Sequence, residues 1–354
     1  MPNTAIDLRI GDTLVAADVR LPVPELALAM PDVDDPSAVD AYFRRHMRFV
    51  AESGAEQPYA IESIRIATTV DQNVGEYQEL TFHVSVPVTD DFDPRDFWLR
   101  YDAVIHQVPT HFALVKIVQD FESGVVDQRG EVTVGTIRAA ITDASIAPFH
   151  VRAERGSLFR GFGAMVTLGM EHIMTGVDHI LFLLMLLIVA PLAAVNAEWT
   201  GYRGFRYAIR RFLSISVAFT IGHSASLILG TYQLLTVSQR FVEVAIAGSI
   251  LITAVHAIRP VFARREAIVA LGFGLLHGLA FAEVLRALQL EPLQKAVSIF
   301  SFNIGIELMQ IIIMLAAAPL LLLSKTPQYR PLRLFSASLT AAVAAFWIVQ
   351  RVTA

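Results

Sequence analysis

The chain has 354 residues, 54% of them hydrophobic and 17% charged, with a mean hydropathy of +0.52. That average is too apolar for an ordinary soluble domain and points to a membrane protein. A net charge of -5 gives no basis for nucleic-acid binding, and the absence of cysteine excludes disulfides and thiolate metal sites. Any metal ion would have to be held by His, Asp, Glu, Asn or backbone oxygen.

The composition changes near residue 155, so two domains are expected: 1–155, β-rich, and 156–354, helical and embedded in a membrane. In the first, "TLVAADVRLPV", "ELTFHVSVPV", "FALVKIVQDF" and "EVTVGTIRAAI" are rich in β-branched residues, alternate in part with period two, and are separated by Gly, Pro and Asp turns. They predict a β-sandwich-like domain. The exception is "DPSAVDAYFRRHMRFVAESG" (35–54), which reads as one helix capped at Asp35 or Ser37. The histidines here, His46, His83, His106, His111 and His150, are scattered and read as structural; no catalytic motif is visible.

Apolar runs long enough to cross a bilayer predict six spans, at 177–195, 212–234, 240–258, 266–289, 296–323 and 332–352. An interfacial or broken helix over 156–176 precedes them, ending at Gly176. Arg203, Arg206, Arg210, Arg211, Arg259, Arg264, Arg265, Lys325, Arg330 and Arg333 fall in or beside one set of loops; only Arg240, Arg286 and Lys295 fall in the other. The basic set is expected on the cytoplasmic side of the inner membrane, placing the N-terminal domain and the C-terminus outside. Export of such a domain normally uses a cleavable leader, and "MPNTAIDLRIGDTLVAADV" does not read as one. The expectation is that the numbering begins after a removed signal.

Ionisable groups recur inside these apolar runs. "GMEHIMTGVDHILFLLMLLIVAPL" carries Glu171, His172, Asp178 and His179 to the edge of the first span. On an unbroken helix His172 and His179 would share a face but sit ~10 Å apart along the axis, too far for one ion; a break at Gly176 would bring them together. "VAFTIGHSASLIL" supplies Thr220, His223 and Ser224, "GFGLLHGLAFAEV" supplies His277, and "FSFNIGIELMQII" places Asn303, Glu307 and Gln310 on one stripe. His223, His277 and Glu307 each lie about 12 residues, or ~18 Å of helix, from the expected outer end, close to the midplane of a ~30 Å core. Ionisable groups at that depth are costly and mark functional paths. The set predicts an outer mouth at His172, Asp178 and His179 leading down to a midplane site of His223, His277 and Glu307, with Asn303 as an auxiliary oxygen donor. His256, near the cytoplasmic end of its span, lies off that level. His and carboxylate donors without sulfur suit Ni(II), Zn(II), Co(II) or Fe(II).

"HIMTGVDHILFLL", "FTIGHSASLIL", "FGLLHGLAFA" and "FNIGIELMQ", in that order over roughly 160–352, resemble the HupE/UreJ family of membrane proteins. The resemblance implies a transition-metal permease linked to nickel or cobalt supply, with the family's histidine and acid motifs falling on His172, Asp178, His179, His223, His277 and Glu307. Three functions follow. The first is a divalent-metal transporter. The second is an intramembrane zinc hydrolase, with Ser224 or Asp178 as candidates for the chemistry. The third is a sensor or assembly protein whose β-domain binds a protein partner.

Overall fold

In a computed structural model, residues 3–71, 74–126, 132–235, 237–288 and 290–353 are described. The chain divides into two compact units, Met1–Ala164 and Met165–Ala354.

The first unit runs β1 (Thr4–Ile10), β2 (Leu14–Pro22), α1 (Val23–Ala29), α2 (Pro36–His46), β3 (Met47–Ala51), β4 (Glu56–Gln57), β5 (Ala60–Asp71), β6 (Gly75–Pro87), β7 (Asp96–Tyr101), β8 (Phe112–Asp120), β9 (Val132–Arg138) and β10 (Phe149–Arg152). One sheet has the order β5-β6-β2-β1-β8-β9 and the other β10-β7-β3-β4. Alternate residues of β1 (Ile6, Leu8, Ile10) and β6 (Leu80, Phe82, Val84, Val86) share a core with Met47, Phe49, Phe97 and Leu99 of the second sheet. That is the sandwich-like arrangement the alternation implied, and all four quoted strand runs fall on strands. Asp35 caps α2, its side chain accepting from the Ser37 N–H at 2.9 Å. The helix predicted over 35–54 nevertheless stops at His46, because Met47–Ala51 pairs with β7 and buries Met47, Phe49, Val50 and Ala51. Burial in a sheet outweighs local helix propensity here.

His111 is enclosed in this unit. Its Nε2 takes the Thr4 N–H at 3.2 Å, so that nitrogen is the acceptor and the Nδ1–H donates to Glu25. Desolvation pushes the imidazole below the ordinary histidine range, against the opposing pull of Glu25. An unfolded chain takes up this proton near pH ~6.5, while the folded unit resists it. Stability is therefore full above that pH and falls as pH drops below it. Hydrogen exchange of the β1 and β8 amides, corrected for intrinsic rates, should show protection declining from pH 6.5 to 5, with a shallower decline in His111→Gln.

The second unit contains most of α3 (Leu158–Thr175), then α4 (Val177–Val189), a hairpin of β11 (Leu192–Val195) and β12 (Glu198–Tyr202), and α5 (Phe205–Thr231), α6 (Gln239–Ile258), α7 (Glu266–Ala287), α8 (Pro292–Leu322) and α9 (Tyr329–Thr353). Among the described residues, five helices, α5 to α9, are long and apolar enough to cross a membrane. The pair α3 and α4 makes a sixth span if taken together, bent by 74° at Gly176. The span predicted at 177–195 is thus only half a span: α4 ends at Val189, and the chain after Pro191 turns back as a hairpin. Arg211 holds that end, its guanidinium donating to the carbonyls of Val189 at 3.0 Å and Leu192 at 2.9 Å and pairing with Glu266. Glu266→Ala would leave the Arg211 charge buried without its counterion. A cost of about 3–5 kcal/mol is expected, read as a lower thermal midpoint in detergent.

Two helix crossings in this unit are equivalent. At the first, a Cβ on Gly169 (α3) would strike the Phe302 carbonyl and one on Gly305 (α8) the Val166 carbonyl. At the second, a Cβ on Gly274 (α7) would strike the Phe219 carbonyl and one on Gly222 (α5) the Leu271 carbonyl. In all four cases the carbonyl lies three residues before the facing glycine. The same segments match in sequence: "GMEH" (169–172) with "GLLH" (274–277), and "FTIG" (219–222) with "FNIG" (302–305). The mutual approach of each glycine to the turn before its partner fits parallel helices, α3 with α8 and α5 with α7. Successive spans alternate in direction, so α3 to α6 and α7 to α9 form two repeats of opposite sense, and α6 packs on α9 with Arg240 donating to the Arg351 carbonyl at 3.0 Å.

Candidate metal site

The break at Gly176 organises the site. Gly176 lacks a side chain because a Cβ there would lie 2.6 Å from His179 Nδ1 and 2.8 Å from the His172 carbonyl oxygen. With the helix bent, the His172 and His179 rings approach to 4.6 Å between centroids. The second crossing brings in His223 and His277, the first of these 6.2 Å from His172 and the second 4.9 Å from His179. His179, His223 and His277 are buried, and Phe182, Phe219, Phe281 and Phe302 wall the group.

The hydrogen bonds fix how these rings face one another. Asp178 Oδ1 lies 3.0 Å from His179 Nδ1, so that nitrogen carries the proton and His179 Nε2 presents a lone pair. Ser249 of α6 donates its O–H to the Ile246 carbonyl at 2.7 Å, leaving its oxygen to accept from His277 Nε2 at 3.1 Å. His277 Nδ1 then also presents a lone pair. These two nitrogens face each other at 3.3 Å. Facing lone pairs repel unless a cation lies between them. Two nitrogens each 2.0–2.1 Å from one tetrahedral ion are separated by ~3.3 Å, so the spacing suits a shared ion as well as a shared proton. Asp178, His179 and His277 each offer a ligand atom within 4.8 Å of the other two. His172 Nε2 and both ring nitrogens of His223 are buried without a hydrogen-bond partner. A bound ion would give these nitrogens the partner that buried polar groups normally have.

The expected mouth and midplane site are therefore one cluster, in which His179 touches His277 directly. Glu307 is placed elsewhere. It accepts from Thr220 Oγ1 at 2.8 Å, with Ser216 Oγ at 3.5 Å, and Gln310 bonds the same serine. Thr220 lies one turn before His223, so this second polar group adjoins the first between α5 and α8. Asn303 is buried beside His223; its amide donates to the Ile299 carbonyl at 2.7 Å, and its side chain interacts with the His223 ring. Ser224 donates to the Thr220 carbonyl at 2.7 Å. His256 stays apart, stacked on Phe262 at 3.7 Å, with Nδ1 accepting from the Val261 N–H at 3.1 Å. Ser249, which sets the His277 tautomer, carries no distinguishing signal in the sequence. A serine in an apolar helix is ordinary, and only its distance to His277 singles it out.

A family model described as HupE / UreJ protein matches residues 150–351. No curated protein and no solved structure matches the chain.

Proposed function

The chain belongs to the HupE/UreJ family, and from that premise we propose that it is a membrane transporter for a divalent transition metal, nickel, cobalt or zinc, carried through the cluster at the α3–α4 break. The observation that carries this reading is the pair of facing imidazole nitrogens, His179 Nε2 and His277 Nδ1, 3.3 Å apart inside an apolar wall. His172, His223 and Asp178 complete the binding group, and Asn303 and Glu307 provide oxygen donors for the next stage of the path. The absence of thiolate favours ions that accept imidazole and carboxylate, and the apolar wall favours partial dehydration of the ion. Ligation needs neutral imidazole and ionised carboxylate, so protons leave as the ion enters and a proton gradient is a natural partner for the cycle.

Repeats of opposite sense that meet at a buried site are the framework of alternating access in secondary transporters. Here His172 and His277 occupy equivalent positions in the two repeats and belong to one cluster. α4, which brings Asp178 and His179, is the element without a counterpart, and it enters as a half-helix. For orientation, the Arg- and Lys-rich loops gather at one end: Lys325 lies over the Tyr202 ring at 5.3 Å, and Trp199 donates to the His256 carbonyl, next to the third loop, at 2.8 Å. That end is cytoplasmic by the positive-inside rule, which puts residues 1–155 and the C-terminus on the outer face of the inner membrane.

The test uses proteoliposomes loaded with a metal-sensing dye, together with single cysteines introduced into the cysteine-free chain. Flux of Ni(II), Co(II) or Zn(II), and labelling of a cysteine at exposed Glu62 by an impermeant reagent added outside cells with a permeabilised outer membrane, support the proposal. Tightly bound metal without flux points instead to an intramembrane hydrolase, and labelling only after lysis reverses the orientation.

A further inference from the structure

The β-rich unit holds a group of residues that the transport path does not use. α2 ends at His46, and the turn after β7 carries Asp102 and His106. Asp102 bonds both imidazoles: its carboxylate lies 2.8 Å from His46 Nδ1, and its carbonyl oxygen lies 2.9 Å from His106 Nδ1. Carbonyl and carboxylate oxygens accept, so both Nδ1 atoms carry protons and both Nε2 atoms keep lone pairs. Metal-binding histidines are oriented in this way, each giving its other N–H to a carboxylate or a carbonyl. The two rings stack at 4.3 Å with 9° between their planes. One ligand atom from each of His46, Asp102 and His106 lies within 4.8 Å of the other two.

The turn is held at a cost. Val104 has φ +63° and is buried, a conformation that a β-branched residue adopts rarely. Its N–H donates to Tyr42 Oη at 2.9 Å, and the Tyr42 ring packs on His46 at 4.5 Å. Strain and packing thus fix the loop and the helix end against each other. Other histidines of this unit bond acids singly, as His83 does Asp18 and His150 does Asp96. Two imidazoles organised by one acidic residue distinguish this group.

We propose that His46, His106 and Asp102 form a second divalent-metal site, separate from the membrane cluster. Each imidazole offers its free Nε2, the two stacked rings tilting towards each other as the ion binds, and Asp102 orients both rings and offsets the added charge. Arg45 and Arg100 line the adjoining cleft of about 360 Å³ with His46 and Asp102. Their guanidiniums disfavour a bare dication, so the remaining coordination positions take an anionic ligand such as a carboxylate.

The full chain in detergent is titrated with CoCl2 or NiCl2, and bound metal is counted by elemental analysis. Two ions per chain are expected. His46→Gln/His106→Gln should lose one of them and His223→Ala/His277→Ala the other, so failure of either site is seen separately. If His46→Gln/His106→Gln binds with wild-type ratio and affinity, the second site does not exist. A measurement on unaltered protein guards against misfolding of the variant: diethylpyrocarbonate labelling mapped by mass spectrometry, with and without Co(II). His106 should be protected at least tenfold and the exposed His83 not at all. Equal labelling of His106 with and without metal overturns the proposal.

Discussion

Alanine in place of Gly274 is expected to weaken metal binding at the membrane cluster severely and to lower the thermal midpoint in detergent. The added Cβ would strike the Phe219 carbonyl and sit 2.9 Å from the His223 backbone nitrogen. Both are main-chain atoms of α5, so no side chain can swing aside, and α5 and α7 must separate. Overpacking of this kind costs about 1–3 kcal/mol. The functional effect is larger, because His277 follows Gly274 by one turn and His223 lies across the same crossing, so separating the helices moves two ligands. Metal affinity should fall by at least a hundredfold. Gly305→Ala should act likewise at the equivalent crossing, displacing His172. Gly272→Ala is the control: nothing lies within 4 Å of the place its methyl group would take, and alanine there should be neutral or slightly stabilising.

Asp178→Asn should weaken Ni(II) or Co(II) binding by 10–100-fold, the usual effect of losing a partner that orients a ligating histidine. The amide keeps an acceptor for the His179 N–H, which Asp178 takes at 2.9 Å, so α4 still begins where it does. What is lost is the negative charge beside His179 Nδ1, which fixes the tautomer and offsets the charge of the ion. Equilibrium dialysis reads the change directly. An affinity equal to wild type would remove Asp178 from the site.

Much of this arrangement was legible before the fold was known. The change in composition, the alternating runs at β2, β6, β8 and β9 and the cap at Asp35 are local signals, and local chemistry carries them into the structure. The helix end expected at Gly176 is likewise found, α3 stopping at Thr175, and the bend there brings together His172 and His179, which an unbroken helix would keep ~10 Å apart along its axis. Elements whose identity depends on distant partners were harder to read. Met47–Ala51 continues a helical pattern but pairs with β7. Residues 177–195 are apolar enough for a full span, yet Pro191 and the pairing of β11 with β12 end α4 early. Depth along a straight helix placed Glu307 with the histidines; its hydrogen bonds place it with Thr220 and Ser216. The repeat was present in "FTIG" and "FNIG", but four-residue matches have meaning only once the glycines are seen against the equivalent carbonyls.

The central claim is that the ion passes through the cluster at the helix break. The most direct test measures bound metal and initial uptake rate together, in proteoliposomes of wild type and of His223→Ala/His277→Ala at matched protein content. Loss of one bound ion together with loss of uptake is the predicted result. Uptake at the wild-type rate in the double variant would contradict the account and place the path elsewhere in the protein.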